Sequence, residues 1–213
     1  MRMAERRLLI IGCGGHGRVV ADVAREMGYH RIAFLDNAHQ SFSSADPWNV
    51  LGPLEMMANL RDEWPEAIAA SGSNTERFVT HADLLRHGYV VPNIVHPSAI
   101  ISRNAHLGCG IFVAPAAVIN TGVRIGDAVI INTGARVDHD SLVEAGAHIA
   151  PGAILAGHVH VGERSMLGAG SVARQGVEIG ADITVGIGAA VVKSLAERGV
   201  YVGVPARKLR ANP

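Results

Sequence analysis

From residue 94 to residue 195 an aliphatic side chain returns at every sixth position without an insertion. With the chain cut into hexads from Ile94, the second positions are Val95, Ile101, Leu107, Val113, Ile119, Ile125, Ile131, Val137, Val143, Ile149, Leu155, Val161, Leu167, Ala173, Ile179, Val185 and Val191. Only Ala173 is not Val, Ile or Leu. A helix of 3.6 residues per turn cannot hold a six-residue stripe on one face. The period therefore excludes α-helix and predicts a parallel β-helix. Each hexad supplies one short strand and a turn, and three hexads complete a triangular coil of about 18 residues. Glycine or asparagine after the aliphatic position suits the turn. Seventeen hexads make about 5.7 coils, or about 27 Å at a strand spacing of about 4.8 Å.

Residues 7–93 carry a different pattern. Leu8–Ile11 reads as a strand that runs into the glycine loop GCGGHG, Gly12–Gly17. RVVADVAREMGY follows as a helix, with Val19, Val20, Val23 and Met27 on one face and Gly28 as its stop. Arg31–Leu35 reads as a second strand ending at Asp36–Asn37, Pro53–Arg61 as a helix and Ala67–Ser71 as a third strand. Asn74–His87 reads as a helix with Asn74 as its cap. Strand–helix alternation predicts a small Rossmann-like parallel sheet with right-handed crossovers. The expected division is 1–93 for this α/β domain, 94–195 for the β-helix and 196–213 for a capping tail. The tail is read as a short helix at Leu195–Arg198 followed by GVYVGVPARKLR. It and the first domain are expected to cover the open ends of the coil.

The glycine loop has two readings. It is a backbone cradle for phosphate at a helix N-terminus, or a tight strand–helix turn that binds nothing. Only one βαβ unit is clear, which weakens a dinucleotide reading. Asp36 at the end of the second strand suits a ribose hydroxyl or a base N–H. His16 either touches a ligand or caps the helix.

Composition sharpens the picture. The 213 residues are 48% hydrophobic but only 4% aromatic, with 25 glycines. Nearly all the rings lie outside 94–195, where Phe112 is the one aromatic and holds a hexad's first position. A narrow aliphatic prism explains that deficit. Nineteen basic residues balance nineteen acidic ones, which argues against binding nucleic acid through phosphate charge. Cys13 and Cys109 lack metal-type spacing and fit a reduced cytoplasmic protein. The basic and then apolar start, MRMAERRLLIIG, is cut short by the glycine loop and reads as a strand rather than a leader. No run reaches the ~18 apolar residues of a membrane span.

Several motifs together resemble the PglD/NeuD-like sugar acyltransferases. They are GCGGHGRVVADVA, FLD, SGSN, NTGARVDHD, AHIAPGAILAGHVHVGERSMLGAGS and GVYVGVPARKL, spread over residues 7–210. The resemblance implies a left-handed β-helix, a homotrimer with active sites between subunits, and acetyl-CoA as cosubstrate without a metal. It implies N-acetylation of the 4-amino group of a UDP- or GDP-linked 4-amino-4,6-dideoxy sugar such as GDP-perosamine, for bacterial glycan or lipopolysaccharide O-antigen synthesis. A sialic acid O-acetyltransferase of the NeuD type is the alternative it also allows. His139 falls on the family's catalytic histidine. Asp140 follows it where the PglD pattern has glutamate, which leaves Asp138 as a second orienting group. Gly157 falls on the glycine whose amide faces the thioester carbonyl, and Asn132 lies on the sugar side. His148, Gly168, Gly186, Lys193 and Arg207 fall on the acetyl-CoA side, with Lys208 a further candidate for its phosphates. Gly14, His16, Asp36 and Asn37 match nucleotide-contacting positions.

The chemistry is consistent with those roles. An amine attacking a thioester must lose a proton, and a neutral imidazole suits that task. A carboxylate beside it fixes the tautomer, and the developing oxyanion needs a fixed donor. Gly157 lies 18 residues after His139, one coil along at the same corner, within roughly one strand spacing. Asp140 and His158 share that separation and are expected to meet across coils. Most of the eleven histidines are read as surface or turn residues. Two other classes compete with this reading. A zinc enzyme of the carbonic anhydrase type on the same prism needs a histidine pair five residues apart, and His158 and His160 are two apart. A non-catalytic scaffold predicts that His139→Ala leaves function intact.

Overall fold

The computed structural model describes residues 6–41 and 49–209 and divides into two compact units, 1–96 and 97–213. Parts of the expected first domain (1–5, 42–48) and tail (210–213) lie outside the described residues. Among the described residues no helix is long and apolar enough to cross a membrane.

The first unit is a four-stranded parallel sheet. Its strands are β1 (Arg7–Ile11), β2 (Arg31–Leu35), β3 (Val50–Gly52) and β4 (Ala67–Ala69), in the order β3-β2-β1-β4. Leu8, Leu9, Ile10 and Ile11 of β1 are all buried, as a central strand covered on both faces requires. Helix α1 (Gly15–Glu26) follows β1, and α3 (Asn74–Arg86) follows β4. Between β3 and β4 the expected helix is a 3₁₀ turn, Leu54–Met56, that leads into a single α turn, α2 (Met57–Leu60). The short edge strand β3 is not signalled in the sequence.

Two helix details differ from the expectation. The buried side of α1 is Gly17, Val20, Ala21, Val23 and Ala24, while Val19 is 43% exposed. The helix starts earlier than read, at Gly15, and its buried stripe is centred on Val20 and Ala24, which leaves Val19 at the edge. The cap of α3 is Ser73, whose hydroxyl accepts from the Glu76 N–H. Asn74 is instead the first helical residue, and its Oδ1 accepts from Arg77.

The second unit is a left-handed parallel β-helix. Its strands pair at a fixed separation of 18 residues, for example Ile100↔Val118, Arg124↔Leu142 and His148↔Met166. The first face carries Phe112–Val113, Ile130–Ile131, His148–Ile149, Met166–Leu167 and Ile183–Val185. The second runs from Ile100–Ile101 through Val118–Ile119, Arg136–Val137, Ile154–Leu155 and Val172–Ala173 to Ala190–Val191. The third runs from His106–Leu107 to Glu178–Ile179. From Val113 to Val191 every second-position residue is at most 3% exposed.

A second inward column lies at the sixth hexad position and is small or aliphatic, from Ile111 and Ala117 to Ala189. It admits three buried serines, Ser141, Ser165 and Ser171, and the first two satisfy their hydroxyls. Ser141 Oγ donates to the Ala156 carbonyl and accepts from the Val159 N–H, and Ser165 Oγ does the same with Gly180 and Ile183.

The left-handed backbone of each turn falls at the fifth hexad position, not directly after the aliphatic residue. Gly122, Gly134 and Gly146 have φ of 64–72° there, and so do the non-glycine residues Asp140 (56°) and His158 (57°). The third position serves a different need, close approach to the next coil. A Cβ on Gly162 would lie 2.6 Å from the Ala181 nitrogen. Gly162→Ala is therefore expected to cost about 1–3 kcal/mol, read as a lower midpoint in urea with an unchanged slope.

The expected helix at Leu195–Arg198 does not form. Leu195 instead bridges to Ile179. Gly199–Val202 then pairs in parallel with Ile183–Val185, and Arg207–Lys208 folds back antiparallel on it. A continuing sheet edge offers the backbone more hydrogen bonds than an isolated helical turn, so helix propensity loses.

Candidate functional site

In the first unit the glycine loop lines a cavity of about 780 Å³. Gly12 leaves β1 with φ 107°, and a Cβ on Gly17 would stand 1.9 Å from the Gly12 carbonyl oxygen. These two glycines let α1 start hard against the strand end. Gly14 and Gly15 face open space on the cavity side. Gly14 is the N-cap of α1 and makes no side-chain cap, so the first amides of the helix are aimed at the cavity.

All four residues expected here, Gly14, His16, Asp36 and Asn37, line this cavity. Asp36 is partly committed to the fold. Its Oδ2 accepts from the Cys13 N–H at 2.7 Å and its Oδ1 from the Ala38 N–H at 2.8 Å. Asn37 Oδ1 accepts from the Leu54 N–H.

The opposite wall was not anticipated. Ser71, Gly72, Thr75, Glu76 and Thr80 complete the lining. Arg77, 1% exposed, supports that wall by donating to the Ser71 carbonyl and to Asn74 Oδ1. Burial lowers its guanidinium to about 10, which leaves it charged at neutral pH. Its spacing three residues after Asn74 was the available signal.

In the second unit the corner between the second and third faces carries His139, Asp140 and Gly157. His139 Nδ1 lies 2.9 Å from Asp140 Oδ2. That contact fixes the neutral ring as the Nδ1–H tautomer, with Nε2 as the open acceptor. The hydrogen bond that His139 Nδ1–H donates to Asp140 raises the His139 pKa above its ordinary value.

Asp138 does not orient the ring. Its Oδ1 accepts from the His139 backbone N–H and from Asn120 Nδ2, and these bonds hold its carboxyl below the usual range. The left-handed turn at Asp140 swings its short side chain back to the ring, and the open Gly122 beneath admits it. A Cβ on Gly122 would lie 2.4 Å from Asp140 Oδ1.

Nε2 of His139 overlies Gly157, where a Cβ would stand 2.4 Å from it. Among the described residues the Gly157 N–H donates to no protein acceptor. His158 also approaches, with Nε2 3.8 Å from Asp140 Oδ2 and its ring edge-to-face on His139 at 5.1 Å.

The remaining expected residues lie elsewhere on the prism. Asn132, Gly168 and Gly186 share the corner between the first and second faces, Asn132 two coils before Gly168 with Ala150 between them, and Gly186 one coil after it. Asn132 Nδ2 lies 3.1 Å from His148 Nε2. A Cβ on Gly168 would reach Val185 and Gly186, and one on Gly186 would reach Val202. Lys193 occupies the His139–Gly157 corner two coils beyond Gly157 and is exposed. Arg207 lies on the terminal strand, beside Lys208, whose Nζ pairs with Glu197 at 2.8 Å. One chain therefore holds the expected residues His139 and Gly157 on one corner and Asn132, Gly168 and Gly186 on another, with the second face between them.

A family profile described as the PglD N-terminal domain matches residues 7–81. UDP-N-acetylbacillosamine N-acetyltransferase of Bacillus subtilis is 33% identical over 113 residues, and the match spans 51% of each chain. A variant of perosamine N-acetyltransferase from Caulobacter crescentus, solved with CoA and GDP-perosamine, is 36% identical. It covers 99% of this chain and 100% of its own, with a TM-score of 0.93. The acetyltransferase domain of PglB from Neisseria gonorrhoeae, solved with acetyl coenzyme A, is 36% identical over 96% of this chain and 100% of its own, with a TM-score of 0.91.

Proposed function

We propose that this chain, which belongs to the PglD-like family of sugar N-acetyltransferases, transfers acetyl from acetyl-CoA to the 4-amino group of a nucleotide-linked 4-amino-4,6-dideoxy sugar. The observation that carries the proposal is the His139 Nε2 held over the unpartnered Gly157 amide. Similarity over nearly the whole chain to a protein solved with CoA and GDP-perosamine supports the substrate class.

The sugar amine attacks the thioester carbonyl carbon and the new C–N bond forms. His139 Nε2 takes the amine proton, and Asp140 stabilises the resulting imidazolium. The Gly157 N–H donates to the oxyanion. The intermediate collapses with loss of the C–S bond, and the imidazolium returns its proton to the CoA sulfur. The products are the acetamido sugar and free CoA thiol.

The cavity at the α1 N-terminus suits the diphosphate of the nucleotide, with amides rather than cations as the main donors. Gly14 and His16 take that role, and Asp36 and Asn37 retain lone pairs for the nucleoside. Acetyl-CoA is assigned to His148, Gly168 and Gly186, with Lys193 and Arg207 near its phosphates and Asn132 toward the sugar.

The active unit is a homotrimer. One chain keeps Asn132 and His148 a face away from His139, and a neighbouring copy supplies the missing group. Ile100, 66% exposed, and Val172, 41% exposed, lie outward on the face between the two corners, where apolar area awaits cover. The protein acts in the cytoplasm, in bacterial glycan or lipopolysaccharide synthesis, where nucleotide sugars and acetyl-CoA meet.

The test is a panel of UDP- and GDP-linked 4-amino sugars with acetyl-CoA, followed by thiol release. Turnover with free or CMP-linked sialic acid alone replaces this reading with O-acetylation. The Asp140 carboxylate favours the imidazolium, so His139 becomes a base only above its raised pKa. Asp140→Asn is therefore expected to move the acid limb of kcat to lower pH and to reduce the plateau roughly 10- to 100-fold. A limb that stays in place or moves up assigns the raised pKa to another group.

A further inference from the structure

We propose that His158 is a positioning residue that shares Asp140 with His139 and so couples the two imidazoles into one titrating unit. The inference rests on the acetyltransferase reading of the corner and deepens it.

The geometry is specific to this corner. The His158 N–H donates to the His139 carbonyl at 2.9 Å, which fixes the two residues in register. Both rings face the same oxygen, Asp140 Oδ2, from 2.9 Å and 3.8 Å. The ring planes are 87° apart, so neither ring blocks the other from that oxygen. Asp140 and His158 are stacked fifth-position residues in left-handed backbone, where glycine is the commonest occupant of this prism. Side chains kept at positions that favour glycine need a reason.

The corner between the first and third faces shows what a structural pair looks like. There Arg164 grips Asp182 with two hydrogen bonds, at 2.9 and 3.0 Å, from the same stacked positions. Asp140 does not close such a clamp. Its Oδ2 divides between two imidazole rings, at 2.9 and 3.8 Å.

The consequence follows from charge. Neutral His158 leaves Asp140 to His139 Nδ1–H. Protonated His158 draws the same oxygen toward itself and releases the catalytic ring from its tautomer lock. Two imidazolium ions against one carboxylate also repel, so protons bind the pair in two coupled steps. The other titratable or charged groups at this corner are Asp138, held by Asn120 and the His139 amide, and Arg103, Arg174 and Lys193, which among the described residues make no hydrogen bond or ion pair with either ring. Neither the Gly157 nor the Gly122 corner position carries a titratable side chain.

The test uses His158→Asn, because asparagine tolerates left-handed backbone, with His158→Gly as a second variant that keeps the turn. Proton NMR of the full-length protein reads the imidazole C–H resonances against pH. In the native chain each ring is expected to report two inflections. In either variant His139 is expected to report one.

Rates give the second readout. Native kcat/KM is expected to steepen on the acid limb beyond about tenfold per pH unit, toward about a hundredfold, as both rings protonate. The variants are expected to stay at about tenfold. A single His139 inflection in the native protein, unchanged in both variants, overturns the coupling whatever the protein's activity. Two inflections in a protein that acetylates no amino sugar keep the coupling and overturn the acetyltransferase reading instead.

Discussion

Replacing His139 with alanine is expected to lower kcat for acetyl transfer by about 10²- to 10⁴-fold, with KM for both substrates changed little. The ring lies at an exposed corner, with its Nδ1 on Asp140 and its Nε2 over Gly157. It anchors no buried cluster, so the melting temperature is expected to stay near that of the native protein. The loss falls on kcat because the proton is transferred only as the C–N bond forms. Before that the sugar amine is held by contacts that alanine leaves in place.

The residue also sets the shape of the pH profile. The native acid limb reports a base whose pKa Asp140 raises. In His139→Ala that limb is expected to vanish, leaving a slow rate whose pH dependence is that of the substrate amine. Thiol release followed across pH decides the matter. A variant within a few-fold of native at every pH removes His139 from the chemistry and favours a scaffold.

The same residues show which signals sequence carries and which it hides. The aliphatic stripe was legible because one inward residue per hexad is a strict rule. The second inward column was not, because Ser141, Ser165 and Ser171 interleave with alanine and valine there and read as polar. The burial of Ser141 and Ser165 depends on hydrogen-bond partners about one coil away, 15 or 18 residues along the chain. The sequence reading puts the left-handed turn just after the aliphatic residue, at the third hexad position, but it falls at the fifth. Asp140, His158, Arg164 and Asp182 occupy it without the glycine that usually marks such backbone.

His139 and Asp140, adjacent in sequence, meet in the structure, while Asp138 receives two other donors. Contacts set by tertiary approach were harder. The edge strand β3 has three residues and no alternation. Arg77 supports the cavity wall from inside a helix that shows no strong apolar face. Leu195–Arg198 has good helix formers, yet Leu195 bridges to Ile179 and no helical turn forms.

Gly157→Ala is expected to abolish nearly as much activity as His139→Ala, and through the same ring. The added methyl would sit 2.4 Å from His139 Nε2, 2.6 Å from Cε1 and 3.0 Å from Cδ2. Contacts that short do not occur, so something must move. The turn backbone is held, since His158 N–H bonds to the His139 carbonyl and Gly176 N–H to the Gly157 carbonyl. The exposed imidazole is the softer partner and swings away. It then loses its line to the amine and its bond to Asp140, and the acceptor stereochemistry built by three residues fails together.

The expected fall in kcat is about 10²- to 10³-fold, the range for losing one preorganised group at an oxyanion site. Stability is expected to change little, because the displaced ring moves into solvent. The double variant separates this account from direct damage to the amide donor. If the methyl acts by evicting the ring, Gly157→Ala costs little more once His139 is alanine, and the two effects are strongly non-additive. If the two losses multiply, the methyl has harmed the Gly157 amide itself, and the ring-eviction account is wrong. Crystals of Gly157→Ala give the direct check, since the account requires His139 Nε2 to leave the position it holds over the turn.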